Sequence, residues 1–339
     1  MAENEARKTT IEDVARAAGV SRAAVSKVLR NAYGVSPAMK LRVDKAIEEL
    51  NYRPSVAARA MRGSSYTLGI EIPDFGNQFF TRVLRGASRA LAGTNYQLII
   101  APAEEGMRQG YRAIEALLDQ RVDGLIAVSP LVSQEWLERA AVQTPIVMFG
   151  RHDESPYYDT VAGDDSAGTA ALMQHLFDLG HQRIAHLTIN ALSSAARSPH
   201  DIRLTTYEKC MVDAGLAGNI RVIRCGEGLD PSYEAARDML DEGPAPTAIV
   251  AGHDELALGA LRAVMERGLP ISVAGYDDVP LAGHPLVSLT SVSQPGEDMG
   301  ARAVEMLLER LAGRDVAEHE TYAPELRPRK TTYPPARES

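Results

Sequence analysis

Thr10–Leu50, TIEDVARAAGVSRAAVSKVLRNAYGVSPAMKLRVDKAIEEL, decides how the rest of the chain is read. Thr10 is a helix cap ahead of an apolar face made by Ile11, Val14, Ala15 and Ala18, and Gly19 can take the left-handed backbone that ends such a helix. Ser21 caps a second helix. Its apolar residues Val25, Val28 and Leu29 face the first, which leaves Arg22, Ala23, Ser26, Lys27 and Arg30 outward. Ser36 and Pro37, a cap followed by proline at the first helical position, open a third helix in which Leu41, Val43, Ile47 and Leu50 are expected to close the small core. The four-residue link centred on Gly19 makes the first two helices cross steeply, so the second projects its amino-terminal end outward. That end is cationic and short-chained, as a helix entering the major groove of DNA must be. The spacing predicts a helix-turn-helix with a supporting helix.

The charge balance fits this placement. The chain of 339 residues carries a net −9, which alone argues against a nucleic-acid binder. Residues 1–63, however, hold twelve Lys or Arg against seven Asp or Glu, a balance of +5, while the remainder holds 24 against 38, or −14. Phosphate affinity is thereby confined to a small head, and the acidic body is repelled from the duplex. No run of about 18 uncharged apolar residues occurs, and MAENEARKTT has no apolar signal-peptide core, so no membrane contact and a cytoplasmic location are expected. The two cysteines, Cys210 and Cys225, form no C-x-x-C pattern, and neither a disulfide nor a zinc site is expected from them.

Residues 53–63, RPSVAARAMRG, read as one short helix of about eight residues, below the roughly 12–15 at which an isolated helix becomes marginal in water. It should form only against a partner. After Ser65 the pattern changes to short apolar runs alternating with helical stretches: YTLGIEI, YQLIIA, DGLIAVS, PIVMFG, RIAHLTI, TAIVAG and ISVAGY. Such runs are buried parallel strands, and the segments between them suit right-handed crossovers on both faces of a sheet. Four runs precede DTVAGDD at Asp159–Asp165 and the rest follow it, which predicts a doubly wound α/β body in two lobes. The expected division is a head over 1–63, with a hinge helix over about 53–62, and a body over 64–339.

IEDVARAAGVS, AVSKVL, VSPAMKLRV and ELNYRPS resemble the amino-terminal pattern of the lactose-repressor (LacI/GalR) regulators, and a looser likeness runs over almost the whole remaining chain. The resemblance implies a body of periplasmic-sugar-binding-protein arrangement, returning to the first lobe near Gln294 and crossing again near Leu326. It implies that 53–62 is a hinge helix paired in the minor groove, with Met61 at the position of the family's leucine wedge. It extends the DNA-contacting set to Thr10, Ser21, Tyr52, Ser55, Ala58 and Met61, beside Arg22, Ala23, Ser26, Lys27 and Arg30. The partner is then double-stranded DNA with a palindromic operator, bound by a homodimer. The C-terminal RPRKTTYPPARES lacks leucine heptads, so the tetramerising tail of the lactose repressor is not expected.

In open parallel sheets small molecules bind beyond the carboxyl ends of strands, and five polar segments sit there: PDFGNQFF, GDD, the stretch with Arg197 and Arg203, GHDELALGAL and GYDD. Matched to the family, Phe79, Phe80, Asp164, Arg197, Arg203, His253 and Asp277 are the expected effector contacts. Asp and Arg suit paired hydrogen bonds to vicinal hydroxyls, and aromatic faces suit a sugar ring. Two departures from the family pattern stand out: His253 replaces the usual asparagine, and GEGLDPSY contains no tryptophan. The expected function is a DNA-binding repressor released by a small metabolite, a sugar in the first instance. A purine or other corepressor, or a degenerate pocket binding no effector, is the alternative. No G-x-G-x-x-G after a strand, P-loop, G-x-S-x-G or H-E-x-x-H occurs, so neither catalysis nor a cofactor is expected. His175, His181 and His186 fall on a helix, a turn and a strand rather than on one metal-facing surface, and no metal is expected of them.

Overall fold

The computed structural model describes residues 9–29, 32–52, 64–103, 110–152, 154–190 and 198–336. The segment 53–63, with Ser55, Ala58 and Met61, lies outside them, as do Arg30 and Arg197. The chain divides into two compact units, Met1–Ser65 and Tyr66–Ser339.

The first unit contains α1 (Ile11–Ala18), α2 (Arg22–Leu29) and α3 (Pro37–Glu49). Thr10 and Asp13 form a reciprocal capping box: the Asp13 backbone N–H donates to the Thr10 hydroxyl, and the Asp13 carboxylate accepts from the Thr10 backbone N–H. Gly19 closes α1 at φ 65°. Ser21 accepts from the Ala24 N–H and Ser36 from the Met39 N–H. Val14, Ala15, Ala18, Val25, Val28, Val43 and Ala46 make the core. Two expectations need correction. Leu41 is exposed, because from Val43 the buried stripe of α3 runs through Ala46 and the half-buried Met39, Ile47 and Leu50, and Leu41 lies off that stripe. Tyr52, expected to contact DNA, is buried in this core, its backbone N–H donating to Ile47.

The body is two sheets. One has the order β11-β5-β4-β3-β1-β2 and the other β12-β10-β9-β8-β6-β7, parallel throughout except for the antiparallel β10–β12 pair. The strands are β1 (Thr67–Ile72), β2 (Gln97–Pro102), β3 (Gly124–Val128), β4 (Ile146–Phe149), β5 (Asp159–Gly163), β6 (Ile184–Ile189), β7 (Arg221–Cys225), β8 (Ala248–Ala251), β9 (Ser272–Asp277), β10 (Thr290–Ser293), β11 (His319–Tyr322) and β12 (Glu325–Arg327). Every residue of β1, β3, β4, β8 and β9 is buried, as in strands covered on both faces, and this includes Glu71 in β1 and Asp277 at the end of β9.

The helices of the body are α4 (Gln78–Leu91), α5 (Tyr111–Asp119), α6 (Gln134–Ala141), α7 (Asp165–Asp178), α8 (Pro199–Asp213), α9 (Leu229–Asp241), α10 (Asp254–Glu266) and α11 (Gly296–Leu311). DTVAGDD, read only as a crossing, contains the strand β5, and the crossing follows it. The chain returns to the first sheet after β10: α11 packs on α4, and β11 pairs with β5. It then crosses again to place β12 beside β10, with Leu326 opposite Val292. The return near Gln294 and the last crossing near Leu326 are where the resemblance put them. At the α4–α11 contact a Cβ on Gly86 would stand 1.8 Å from the Glu297 carbonyl oxygen, and one on Gly300 2.1 Å from that of Val83. Both glycines are therefore required for the helices to approach.

Strand order reverses at β1, which has β3 on one side and β2 on the other, and at β6, which lies between β8 and β7. Each reversal sends successive crossovers to opposite faces and leaves a crevice beyond the strand ends. Residues from both crevices, Pro73 and Ser129 from the first and Asn190 and His253 from the second, line the same cavity.

Candidate functional site

That cavity has a volume of about 920 Å³, enough for a small metabolite. Phe79 and Phe80, from the start of α4, line one wall. Phe79 is also a core residue, its ring centroid 6.3 Å from Phe149 and 5.9 Å from Phe80. The Asn77 side chain caps this helix and fixes where the pair begins.

The opposite wall is built around Arg203, on the first turns of α8. Its Nε donates to Asp165 at 2.7 Å and its Nη1 to the Gly252 carbonyl at 2.6 Å, while its guanidinium lies 3.7 Å from the centroid of the Tyr276 ring. An Asp277 oxygen is 3.8 Å from Nη2 and accepts from Gln294 at 2.7 Å. Burial opposes the charge on Arg203, but Asp165 and Asp277 outweigh it and raise its pKa further. Burial also raises the Asp277 carboxyl, against the pull of Arg203 and His253. Asp277 holds φ 103°, a left-handed backbone rarely adopted by a non-glycine residue, at the end of β9.

A second polar group lies beside the first. His253 occupies the N-cap position of α10 without a side-chain capping bond, His200 is in the first turn of α8, and Glu227 follows β7. The His253 Nε2 is 2.6 Å from a Glu227 oxygen, and the two imidazole rings meet edge to face with centroids 5.4 Å apart. Burial disfavours a charged His253, yet the Glu227 carboxylate more than offsets this and raises its pKa. His200 is pushed well below the usual histidine value, by burial first and by its charged neighbours second.

Of the expected effector residues, Phe79, Phe80, Arg203, His253 and Asp277 converge on the cavity. Asp164 is a correction: its carboxylate caps α7, accepting from the Ala167 N–H at 2.9 Å, and the residue facing the cavity and Arg203 is Asp165. Sequence reasoning also missed His200, Glu227, Glu255 and Gln294 as lining residues. Their only signal was position just beyond strands or at helix starts. Asp254 does not line the cavity; it accepts from the Ser291 hydroxyl at 2.6 Å and the Val279 N–H at 2.8 Å, and so ties β10 to the segment that follows β9. His175 and His181 bond to the C-terminal segment at Thr332 and Tyr333, and His186 stacks on Tyr207, which are packing roles.

In the head, Arg22, Ala23 and Lys27 are exposed on α2 and Ser26 is half-buried. Arg22 meets Glu12 at 3.5 Å with both side chains about two-thirds exposed, a pair too weakly held to compete with a nucleic acid. Thr10 and Ser21 spend their hydroxyls on the caps.

Residues 10–55 match the family described as bacterial regulatory proteins, lacI family, and residues 173–332 a periplasmic binding protein-like domain. The chain is 31% identical over 327 residues to the HTH-type transcriptional repressor PurR of Photobacterium profundum, covering 94% of this chain and 96% of the relative. It is 31% identical over 314 residues to the ribose operon repressor of Escherichia coli, covering 89% and 93%. Its fold is similar to that of the lac repressor dimer bound to operator and the anti-inducer ONPF, with TM-score 0.81, 28% identity and coverage of 96% and 100%. Among the described residues no helix is long and apolar enough to cross a membrane. With a helix-turn-helix head and a two-sheet body built around a ligand-sized cavity, the chain belongs to the lacI family of bacterial regulatory proteins and is a DNA-binding transcriptional regulator that responds to a small-molecule effector.

Proposed function

We propose that the protein is a cytoplasmic, homodimeric repressor without enzymatic activity, released from a palindromic operator when a sugar binds the cavity. The observation that carries the sugar reading is the pairing across the cavity of Phe79 and Phe80 on one wall with the Arg203, Asp165 and Asp277 cluster on the other. Aromatic faces take the C–H side of a pyranose or furanose, and charged, fixed acceptors and donors take its hydroxyls. The ribose operon repressor among the relatives is in keeping with this class.

The two walls come from opposite lobes, so a ligand touching both favours one spacing of the lobes over another. Only the difference in its affinity for the two spacings can shift DNA binding. A coupling of about 1–3 kcal/mol changes operator affinity roughly 5- to 150-fold. The receiving element in this reading is the hinge at 53–62, whose sequence is too short to hold a helix unaided. Met61 and its dimer mate then wedge the central base step, and Arg22 reads a base edge. Thermal-shift screening of the full chain over pentoses, hexoses and purines, followed by operator titration with each hit, tests the reading. A sugar that raises the melting temperature and weakens operator binding supports it. A purine that strengthens operator binding replaces it with the corepressor alternative, and no hit in either class removes the effector role.

A further inference from the structure

We propose that the cavity holds a divalent transition-metal ion of the zinc class on His200, Glu227 and His253, with coordination positions left open toward the effector. This rests on the reading of the cavity as the effector site, and it makes the effector an oxygen-donor ligand of the metal as well as of the protein.

The three side chains come from three separate elements, yet one ligand atom of each lies within 4.8 Å of the other two. Bonds of about 2.0–2.2 Å place the ligand atoms of one ion about 3–3.5 Å apart, so small side-chain rotations suffice to close the set. The second observation is that each histidine has one buried nitrogen without a hydrogen-bond partner among the described residues. His253 is 2% exposed; its Nε2 is held by the Glu227 carboxylate at 2.6 Å, and its buried Nδ1 has no hydrogen-bond partner among the described residues. The buried Nδ1 of His200 has no hydrogen-bond partner among the described residues either. Buried polar atoms are normally satisfied, so two adjacent imidazoles, each with one buried nitrogen that lacks a partner among the described residues, need an explanation, and a cation held between them and the Glu227 carboxylate supplies one.

Carboxylates gather at the same place. Asp74 and Glu255 bring carboxylate oxygens within 4.8 Å of Glu227, adding negative charge where the ion would sit. Arg203, whose charge acts on both histidines, is committed to Asp165 and the Gly252 carbonyl. Two nitrogens and a carboxylate oxygen without sulfur suit zinc, cobalt or nickel over calcium, and three protein ligands leave a fourth position for a hydroxyl or carboxylate of the effector. Glu227, 37% exposed at its side chain, is the ligand on the cavity side.

The test uses full-length protein without a polyhistidine tag, stripped with chelator and dialysed against Zn²⁺ or Co²⁺. One equivalent per chain is expected, with the intense visible absorption of four-coordinate Co²⁺ and a Zn²⁺-dependent rise in melting temperature. His253→Asn and Glu227→Gln should each weaken uptake by about a hundredfold or more, past the range seen when only outer-shell partners are lost. Melting of each variant in chelator establishes that it is folded. No uptake by the parent protein, or equal uptake by folded variants, overturns the proposal. If effector hits still bind stripped protein while no metal is taken up, the metal site fails and the effector reading survives. If metal binds in a His253-dependent manner and no effector class is found, the effector reading fails and the metal site stands.

Discussion

Arg203 and Asp165 meet at 2.7 Å with both side chains almost wholly buried, so the α8 residue that faces the ligand cavity is locked to the first turn of α7. The pair sets the orientation of the guanidinium before any ligand arrives, which lowers the ordering cost of binding. It also makes Arg203 a structural residue. Arg203→Ala leaves Asp165 and Asp277 buried without their cation, and breaking such a pair from one side costs about 3–5 kcal/mol. Urea unfolding should show that loss alongside a lost response to effector.

Asp277→Asn separates the two roles. It keeps the size of the side chain and relieves the burial of a charge, while removing one acceptor from the cavity. Operator affinity without effector should stay within about twofold of the parent, whereas the effector concentration for half-release should rise at least about tenfold, the loss of one charge-assisted hydrogen bond of about 1.5–3 kcal/mol. An unchanged half-release concentration removes Asp277 from the sensing site.

On the head, Arg22→Ala should lower affinity for the operator by about 1–3 kcal/mol while sparing random duplex, the signature of a lost bidentate contact to guanine. Fluorescence anisotropy on both duplexes at one salt concentration measures it. An equal loss on both would make Arg22 a phosphate contact.

Glu71 sits inside the all-buried strand β1, one oxygen accepting from the Val128 N–H at 2.8 Å and the other without a hydrogen-bond partner among the described residues. Burial pushes its pKa up to about 8, against 4.5 when unfolded. The folded state therefore holds the proton more tightly, so the stabilising contribution is fully present below about 4.5 and is lost as pH rises through about 8. Glu71→Gln should flatten the fall in stability across this window, whose slope reaches about 1.4 kcal/mol per pH unit. Parallel pH–stability curves for parent and variant would show that Glu71 is not the group responsible.

Gly86→Ala places a methyl group against the Glu297 carbonyl at the α4–α11 contact. Because backbone and not a flexible side chain must yield, a loss of about 1–3 kcal/mol or more is expected in the denaturant midpoint. A midpoint equal to the parent's would mean that the helices part without cost.

What the sequence revealed follows from physical range. Caps and apolar runs are local, and the helices of the head and the buried strands β1, β3, β4, β6, β8 and β9 could be read directly. RVIRC was not recognised as β7 because a half-exposed strand with two arginines has no unbroken apolar run. Asp164 and Asp165 exchanged roles because neighbouring residues at a helix start point in different directions, and no pattern says which one caps. Tyr52 looked available for DNA because its burial depends on three helices meeting around it. His200 and Glu227 were missed for a related reason: 27 positions apart, one at a helix start and the other on a loop, they become neighbours only once the second sheet has ordered its strands.

The late return of the chain to the first sheet bears on synthesis. By the time residue 293 has left the ribosome, every strand of the second sheet except β12 is out, yet the first still lacks its covering helix α11 and its edge strand β11. The apolar face of α4, made early, must wait more than two hundred residues for Gly296–Leu311. At about 5–20 residues per second that is a delay of roughly ten seconds or longer, with aggregation-prone surface uncovered throughout. The nascent protein is thus a natural client for chaperones, and fragments ending anywhere before Tyr322 leave one lobe unfinished, so truncation is a poor way to isolate either half.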